Sequence, residues 1–483
     1  MGIDSTRRDF LKLAGMGAAA GAAAKIACGR ARFENSDPKM GHLKAWVTDD
    51  DRRLTPIPPI AWMKPGTAID QDTIILAPET KAQTMVGFGA AFTDGACYLF
   101  NQLGEDSRTA LFHDLFHPTQ MGLSVCRSTI GSSDNSRTVY SYNDGDADPE
   151  LKRFSIEHDR AYILPILRQA RSVNPEMFLF SSPWSPPGWM KDNRSMLGGC
   201  MRHTHMPSYA NYFVKFVQSY EAEGVPVHAI TIQNEVDADQ QGLMPACFWP
   251  QDYEADFVRH HLGPRFETSG LKTRIWIIDH NYNLWGRAIA ELETPGVRKY
   301  TNAVAWHGYT GEPEWMSRVQ DAFPDVEMFW TEGSPDHNDP EYLKCWVPWA
   351  QKFVGILRNS CRAITGWSFA TDERGGPNVG PYPLGGLVTI DSKTRAVYHS
   401  GQYWAMGHFS RFVSRGAVRI GSEGTSKDVA HCAFQNPNGS LVVVVTNPGP
   451  SRTCEIRLQS KTATLNLTPN SVTTVTCAED ASA

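Results

Sequence analysis

Ala229-Ile230-Thr231-Ile232-Gln233-Asn234-Glu235 is a short run of β-branched and apolar residues that stops on an amide and a carboxylate. Such side chains suit a pleated, buried strand. The run therefore reads as a strand over 229–233 that delivers Asn234 and Glu235 at its end. Met328-Phe329-Trp330-Thr331-Glu332 repeats the arrangement further along the chain.

Working outward, comparable runs fall at 85–88, 123–127, 177–181, 275–279, 303–307, 326–331 and 364–368, separated by helix-like stretches. In the stretch 209–223, Tyr212, Phe213, Phe216, Val217 and Tyr220 recur at helical spacing and read as core-facing. Eight strand–helix units predict a (β/α)8 barrel. The residues ending the runs are Asp94, Arg127 with Asp134, Trp184, Asn234-Glu235, Asp279-His280, His307 with Tyr309, Glu332 and Trp367. One polar residue at such a place is an ordinary cap or turn residue. All eight runs ending this way matches the C-terminal face of a barrel, where active sites gather.

Beyond residue 400 the pattern becomes short and β-rich, at 429–435, 441–446, 454–458 and 472–477, with Asn436-Pro437-Asn438-Gly439 reading as a hairpin turn. These runs predict a smaller antiparallel β-sandwich beside the α/β barrel. The expected division is a targeting segment at 1–28, a linker at 29–42, N-terminal sandwich strands at 43–81, the barrel at 82–399 and the remaining sandwich at 400–478.

The N-terminus carries Thr6-Arg7-Arg8-Asp9-Phe10-Leu11-Lys12, then an apolar stretch of small residues from Leu13 to Ala24. That stretch is shorter than the roughly 20 residues a spanning helix needs. It fits a twin-arginine signal peptide, which implies export to the periplasm or outside the cell. Cys28 is a candidate lipid anchor, although Lys25 fits a lipidation signal poorly. Cleavage after Cys28 would leave 42 basic against 50 acidic residues, a formal charge of −8. Without a basic run, nucleic acid is excluded as a partner. The ten cysteines are scattered, with no C-x-x-C pair, and read as mostly buried thiols.

Two carboxylates at strand ends suggest glycoside hydrolysis, which places one carboxyl on each side of the scissile bond. A zinc hydrolase is the competing reading, with His203, His205, His280 and His307 as candidate ligands. No Asp or Lys completes that set.

Further motifs sharpen the choice. They are Gly87-Phe88-Gly89-Ala90-Ala91-Phe92-Thr93-Asp94, Ser182-Pro183-Trp184-Ser185-Pro186-Pro187-Gly188-Trp189-Met190-Lys191, Gln233-Asn234-Glu235, His260-His261-Leu262-Gly263-Pro264, Thr331-Glu332, Gly375-Gly376-Pro377-Asn378 and Tyr403-Trp404-Ala405-Met406-Gly407-His408-Phe409-Ser410. In this order the chain resembles the glucosylceramidase-like members of glycoside hydrolase family 30. The resemblance implies a retaining β-glycosidase acting on β-glucosidic bonds, without metal or organic cofactor. Glu235 would be acid/base and Glu332 nucleophile. Asp134 and Trp184 would bind sugar hydroxyls, and Asn234 would hold the hydroxyl beside the anomeric centre. Arg127 would lie under the nucleophile, His307 and Tyr309 would line the floor, and Trp367 would be the stacking platform. Neighbouring negative charge is expected to raise the pKa of Glu235.

The sequence departs from the family at Val236, Gly308, Gly333-Ser334 and Met244. These positions border the leaving-group side. The partner is thus a β-glycoside or glycan, with β-1,6-glucan, β-xyloside and β-fucoside open beside a glucolipid. Membrane contact would come only through Cys28 or a lipid substrate.

Overall fold

The computed structural model describes residues 41–65 and 72–477, so the expected targeting segment, Cys28 and nearly all of the expected linker lie outside the described residues. The chain opens with β1 (His42–Thr48), β2 (Thr55–Ala61) and β3 (Thr73–Thr84). Eight strands follow: β4 (Gly87–Phe92), β5 (Val125–Thr129), β6 (Phe178–Ser182), β7 (Ala229–Thr231), β8 (Arg274–Asn281), β9 (Ala303–His307), β10 (Glu327–Glu332) and β11 (Cys361–Gly366). They close into a barrel in chain order, every neighbouring pair parallel. The expected (β/α)8 barrel is borne out. Helix Met206–Ala222 buries Tyr212, Phe213, Phe216, Val217 and Tyr220 as its spacing predicts.

Side chains alternate across a strand, so every second residue of a barrel strand points inward. Val125, Phe180, Ala229, Trp276, Ala303, Ala305, Phe329 and Ala363 form the inner plug. Trp276 stacks on Phe329 with 4.0 Å between ring centroids, and the alanines make room for both rings. One step along their strands, the same parity turns Arg127, Ser182, Thr231, His307 and Thr331 inward, and all are buried. A polar layer therefore lies directly on an apolar plug.

Past the barrel, β12 (Ala370–Thr371), β13 (Val388–Ile390) and β14 (Val397–His399) form a small sheet at the rim. The sandwich adds β15 (Val418–Gly424), β16 (His431–Gln435), β17 (Leu441–Asn447), β18 (Arg452–Leu458), β19 (Lys461–Leu467) and β20 (Ser471–Cys477) to β1–β3, giving nine strands in the order β19-β18-β3-β15-β16-β17-β20-β1-β2. β17 is central and buried throughout, as its four consecutive valines require. β16 and β17 pair across the expected turn, where Gly439 takes φ +82°. One pairing departs from the expected antiparallel pattern: β18 runs parallel to β3, from which it is separated by the whole barrel rather than by a hairpin. The 400–478 segment also opens differently. It starts with helix Gly401–Ser410, capped by Ser400 and packed on barrel helix Trp346–Arg358.

That helix joins the two units. His408 is fully buried, with Nδ1 2.8 Å from Thr474 Oγ1 in β20 and Nε2 2.8 Å from Thr48 Oγ1 in β1. Burial drives its pKa down to about 3, so it bridges the two strands as a neutral ring.

Candidate active site

The polar layer is organised by Asp279, and an irregularity in β8 puts it there. Trp276 faces the barrel interior, so strict alternation would turn Ile278 inward and Asp279 outward. Instead Ile278 packs with the helical layer. The pairing of β8 with β9 slips between Ile278 and His280, and Ile278 and Asp279 take φ +75° and +47°. A β-branched residue in the left-handed region is strained, and such strain clusters at functional sites. Here the bulge rotates Asp279 into the barrel.

Asp279 then accepts from Arg127 Nη2 (2.6 Å), Ser182 Oγ (2.9 Å), Thr231 Oγ1 (2.6 Å) and Thr331 Oγ1 (2.6 Å), with His307 Nε2 at 3.0 Å. Burial alone would raise its pKa. The charge of Arg127, then His307 and Thr231, hold it far below the usual carboxylate range. Asp279 is thus a fixed anion.

Arg127 spreads its donors over both carboxylate-bearing strands: Nη1 donates to Glu332 Oε2 at 2.5 Å, Nη2 to Asn234 Oδ1 at 2.8 Å and Nε to Ser182 Oγ at 3.1 Å. Its guanidinium also lies 4.7 Å from the ring centroid of Trp184 and 5.5 Å from that of Trp367. Those two indoles stack at 4.7 Å, and Met244 and Ala91 pack with them. The Trp367–Ser368 peptide is cis.

Glu332 and Glu235 sit in contrasting surroundings. Glu332 Oε1 accepts from the Tyr309 hydroxyl at 3.0 Å, while Arg127 holds Oε2. Glu235 takes φ +56° just past β7, and its backbone N–H donates to the Asp279 carbonyl at 3.0 Å. Its Oε1 lies 3.5 Å from His307 Nδ1 and 3.6 Å from His280 Nε2, and Oε2 accepts from Gln240 Nε2. His280 Nδ1 in turn meets Asp237 Oδ1 at 2.5 Å. An oxygen of Glu235, an oxygen of Glu332 and a ring nitrogen of His307 all lie within 4.8 Å of one another. Two carboxyls roughly 5 Å apart suit direct attack and retention, whereas inversion needs roughly 6.5–9.5 Å to admit a water.

The charge state of Glu235 corrects the sequence expectation. Burial would raise its pKa, but the close contact with His307 and the charges of His280 and His307 bring it down to about 2. These two imidazoles, rather than another carboxylate, stand closest to it. Burial lowers the pKa of His307, yet the charge of Glu332 and its contacts with Asp279 and Glu235 raise it to about 9. Burial pushes Glu332 up, against His307 and Arg127. His307 therefore carries a proton at neutral pH, between the two glutamates.

Asp134 lies over this centre under the loop 372–383, whose Val379 N–H donates to the Asp134 carbonyl at 2.7 Å. Its Oδ1 is buried without a hydrogen-bond partner among the described residues. Burial and the charges of Glu332 and Glu235 push its pKa up to about 8.

The expected site residues Arg127, Asp134, Trp184, Asn234, Glu235, His307, Tyr309, Glu332 and Trp367 thus converge at one end of the barrel. The four histidines of the zinc reading do not form one set. His280 and His307 face Glu235, His203 meets Asp256 at 2.8 Å, and His205 packs on Trp189. Reading the sequence missed the roles of Asp279, Gln240, Asp237 and Tyr382, whose hydroxyl lies 3.4 Å from Gln240 Oε1. Inward parity could have marked Thr231 and Thr331, but nothing periodic marks the loop residues. The departures at Gly308 and Gly333 have a packing cause. A Cβ there would come within 2.9 Å and 2.2 Å of the Trp330 ring.

The comparisons agree with this geometry. Residues 85–413 match the glycosyl hydrolase family 30 TIM-barrel domain and residues 416–475 the family 30 beta sandwich domain. The endo-1,6-beta-D-glucanase of Neurospora crassa is 34% identical over 395 residues, covering 78% of this chain and 81% of that one. The lysosomal acid glucosylceramidase of Mus musculus is 29% identical over 395 residues, covering 77% of each. Among solved structures, SrfJ from Salmonella typhimurium superposes with a TM-score of 0.86 at 25% identity, over 91% of this chain and all of that one. The endo-beta1,6-glucanase BT3312 gives 0.83 at 28% identity, over 91% of this chain and 99% of that one. Barrel, sandwich and carboxylate pair together place the chain in glycoside hydrolase family 30, as a retaining β-glycosidase.

Proposed function

We propose that the chain is an exported, endo-acting β-1,6-glucanase that works by double displacement, with Glu332 as nucleophile and Glu235 as acid/base. The contrast between the two carboxylates carries the assignment of roles. Glu332 has a cation and a phenol on its two oxygens and is aligned as an anion. Glu235 has a proton-bearing imidazole 3.5 Å away and faces the rim.

When sugar replaces water in the site, the separated charges of Glu235 and His307 become costly. Exclusion of water raises the pKa of Glu235, which takes up the proton that makes it the acid. Glu235 protonates the leaving oxygen as a Glu332 oxygen bonds to the anomeric carbon and the glycosidic C–O bond breaks. A water then loses its proton to Glu235 and attacks the same carbon, releasing Glu332 and restoring the starting configuration. Asn234 holds the hydroxyl next to that carbon, Asp134 and Trp184 bind the remaining sugar, and Trp367 stacks on it.

Support for the glucan comes from the relatives and from the rim. Three curated endo-1,6-beta-D-glucanases share 30–34% identity with the chain, including those of Trichoderma harzianum and Aspergillus fumigatus. Beside Gln240, a cavity of about 360 Å³ is lined by Arg374, Asn378 and Tyr382 among others. Hydroxyl-rich leaving groups suit that lining better than a lipid tail does. The deciding assay compares a linear β-1,6-glucan, an aryl β-xyloside and glucosylceramide, with the first product anomer followed by proton NMR. Oligosaccharides of β configuration released from the glucan are expected; faster turnover of glucosylceramide or xyloside would overturn the proposal.

A further inference from the structure

Away from the barrel mouth, His203, Asp256, His260 and His261 converge. Asp256 ends helix Gln251–Asp256, which continues as a π-helical turn, Phe257–Leu262, before resuming as Gly263–Thr268. In a regular α-helix, residues five apart lie about 140° around the axis from each other. The wider π turn brings i and i+5 toward one face, and such turns recur at functional sites. Here it sets both His260 and His261 beside Asp256, with Nε2 of His260 3.6 Å from Oδ1 and Nε2 of His261 3.9 Å from Oδ2. From the preceding barrel unit, His203 in the turn His203–His205 places Nε2 2.8 Å from Asp256 Oδ2. His203 and His261 meet edge to face at 6.1 Å.

Arg259 Nη2 also donates to Asp256 Oδ1 at 3.4 Å, which leaves Oδ2 to His203 and His261. One carboxylate cannot hydrogen-bond well to all these donors, and charging the imidazoles would set them against each other. A borderline divalent cation removes that conflict, because neutral imidazole and carboxylate are its usual ligands. Ligand atoms of His203, Asp256 and His261 already lie within 4.8 Å of one another. Tetrahedral zinc, with bonds near 2.1 Å, needs them about 3.4 Å apart. Small rotations at the surface suffice, since half of the His203 side chain is exposed. His260 faces the other oxygen of Asp256 and stands outside this trio.

We propose that His203, Asp256 and His261, with water completing the shell, form a structural site for zinc or a similar divalent cation. The site lies outside the glycosidase centre and does not depend on the choice of glycan. It would fasten the segment following β6 to the helix following β7. Both segments belong to the wall of the cleft, where Leu197 bridges to Pro245 and Cys200 to Phe248.

The test titrates metal-free full-length enzyme with zinc chloride, following heat of binding and thermal midpoint. One zinc per chain and a raised midpoint are expected. His203→Ala and His261→Ala should each weaken binding about ten-fold or more, at least the loss that follows removal of a residue merely supporting a metal ligand. Cobalt(II) should develop a visible d–d band that either variant loses. Absence of zinc binding to wild type would overturn the proposal, as would undiminished binding in both variants. Zinc held instead by Glu235, His307 and Glu332 would survive both substitutions and block turnover, which also counts against it.

Discussion

The Tyr309 hydroxyl donates to Glu332 Oε1 at 3.0 Å while Arg127 occupies the other oxygen, so each oxygen of the proposed nucleophile has its own donor. Tyr309→Phe removes one of them. A hydrogen bond to a charged group contributes about 1.5–3 kcal/mol, so kcat/KM for an aryl β-glucoside should fall roughly 10- to 100-fold. The remaining anion is less stabilised, and the acid limb of the pH profile should move to higher pH. An unchanged limb would remove Tyr309 from this role.

The two glutamates should fail differently. Glu332→Ala should abolish turnover of every substrate, by at least about 10³-fold. Glu235→Ala should spare the first step for leaving groups that need no proton, and azide should restore release by trapping the intermediate as a β-glycosyl azide. Azide rescue confined to Glu332→Ala, giving an α-azide, would reverse the assignment.

His307 gives stability a pH dependence of defined sign. Its pKa rises on folding from 6.5 to about 9, through the charge of Glu332 and its contacts with Asp279 and Glu235, against burial. That contribution is complete below pH 6.5 and is lost as pH rises through about 9. Asp134, pushed up to about 8, adds a loss of the same sign. Chemical denaturation between pH 6.5 and 9 should therefore show falling stability in wild type and a shallower fall in His307→Asn. Equal slopes would contradict the charged imidazole.

Tyr382 is half exposed at the rim and touches Gln240 rather than either glutamate. Tyr382→Ala should raise KM for a β-1,6-glucan about ten-fold, roughly 1.4 kcal/mol, and leave an aryl β-glucoside unaffected. Equal losses on both substrates would place it in the catalytic centre instead.

Residues 1–28 fused to a folded reporter should direct export that depends on the twin-arginine translocase. Replacing Arg7 and Arg8 by lysine should retain the reporter in the cytoplasm, as read by cell fractionation. Export unaffected by either change would exclude this route.

Much of this architecture was open to reading. The barrel strands carry β-branched runs with polar ends, and Ala303, Ala305 and His307 keep clean inward parity on β9. Asp279 was harder, since by parity alone it faces away and only the slip at Ile278 turns it in. The charge of Glu235 was misread because His280 and His307 approach it across space from two other strands. β15 and β19 were passed over because glycine and polar residues interrupt their apolar patterns, whereas the all-buried β17 was plain. Gln240 and Tyr382 come from irregular loops, which have no period to follow.

Asp279 is gripped by side chains from β5, β6, β7, β9 and β10, and itself belongs to β8. The charge that holds Arg127, and joins Glu332 in raising His307, is therefore anchored in the wheel of strands, while Tyr382 and the 372–383 loop belong to its detachable tread. Rim residues that do not touch Glu235, as Gln240 does, can be changed without retuning the acid or the nucleophile. A barrel wired in this way can change the sugar polymer it cuts while inheriting its bond-breaking chemistry intact.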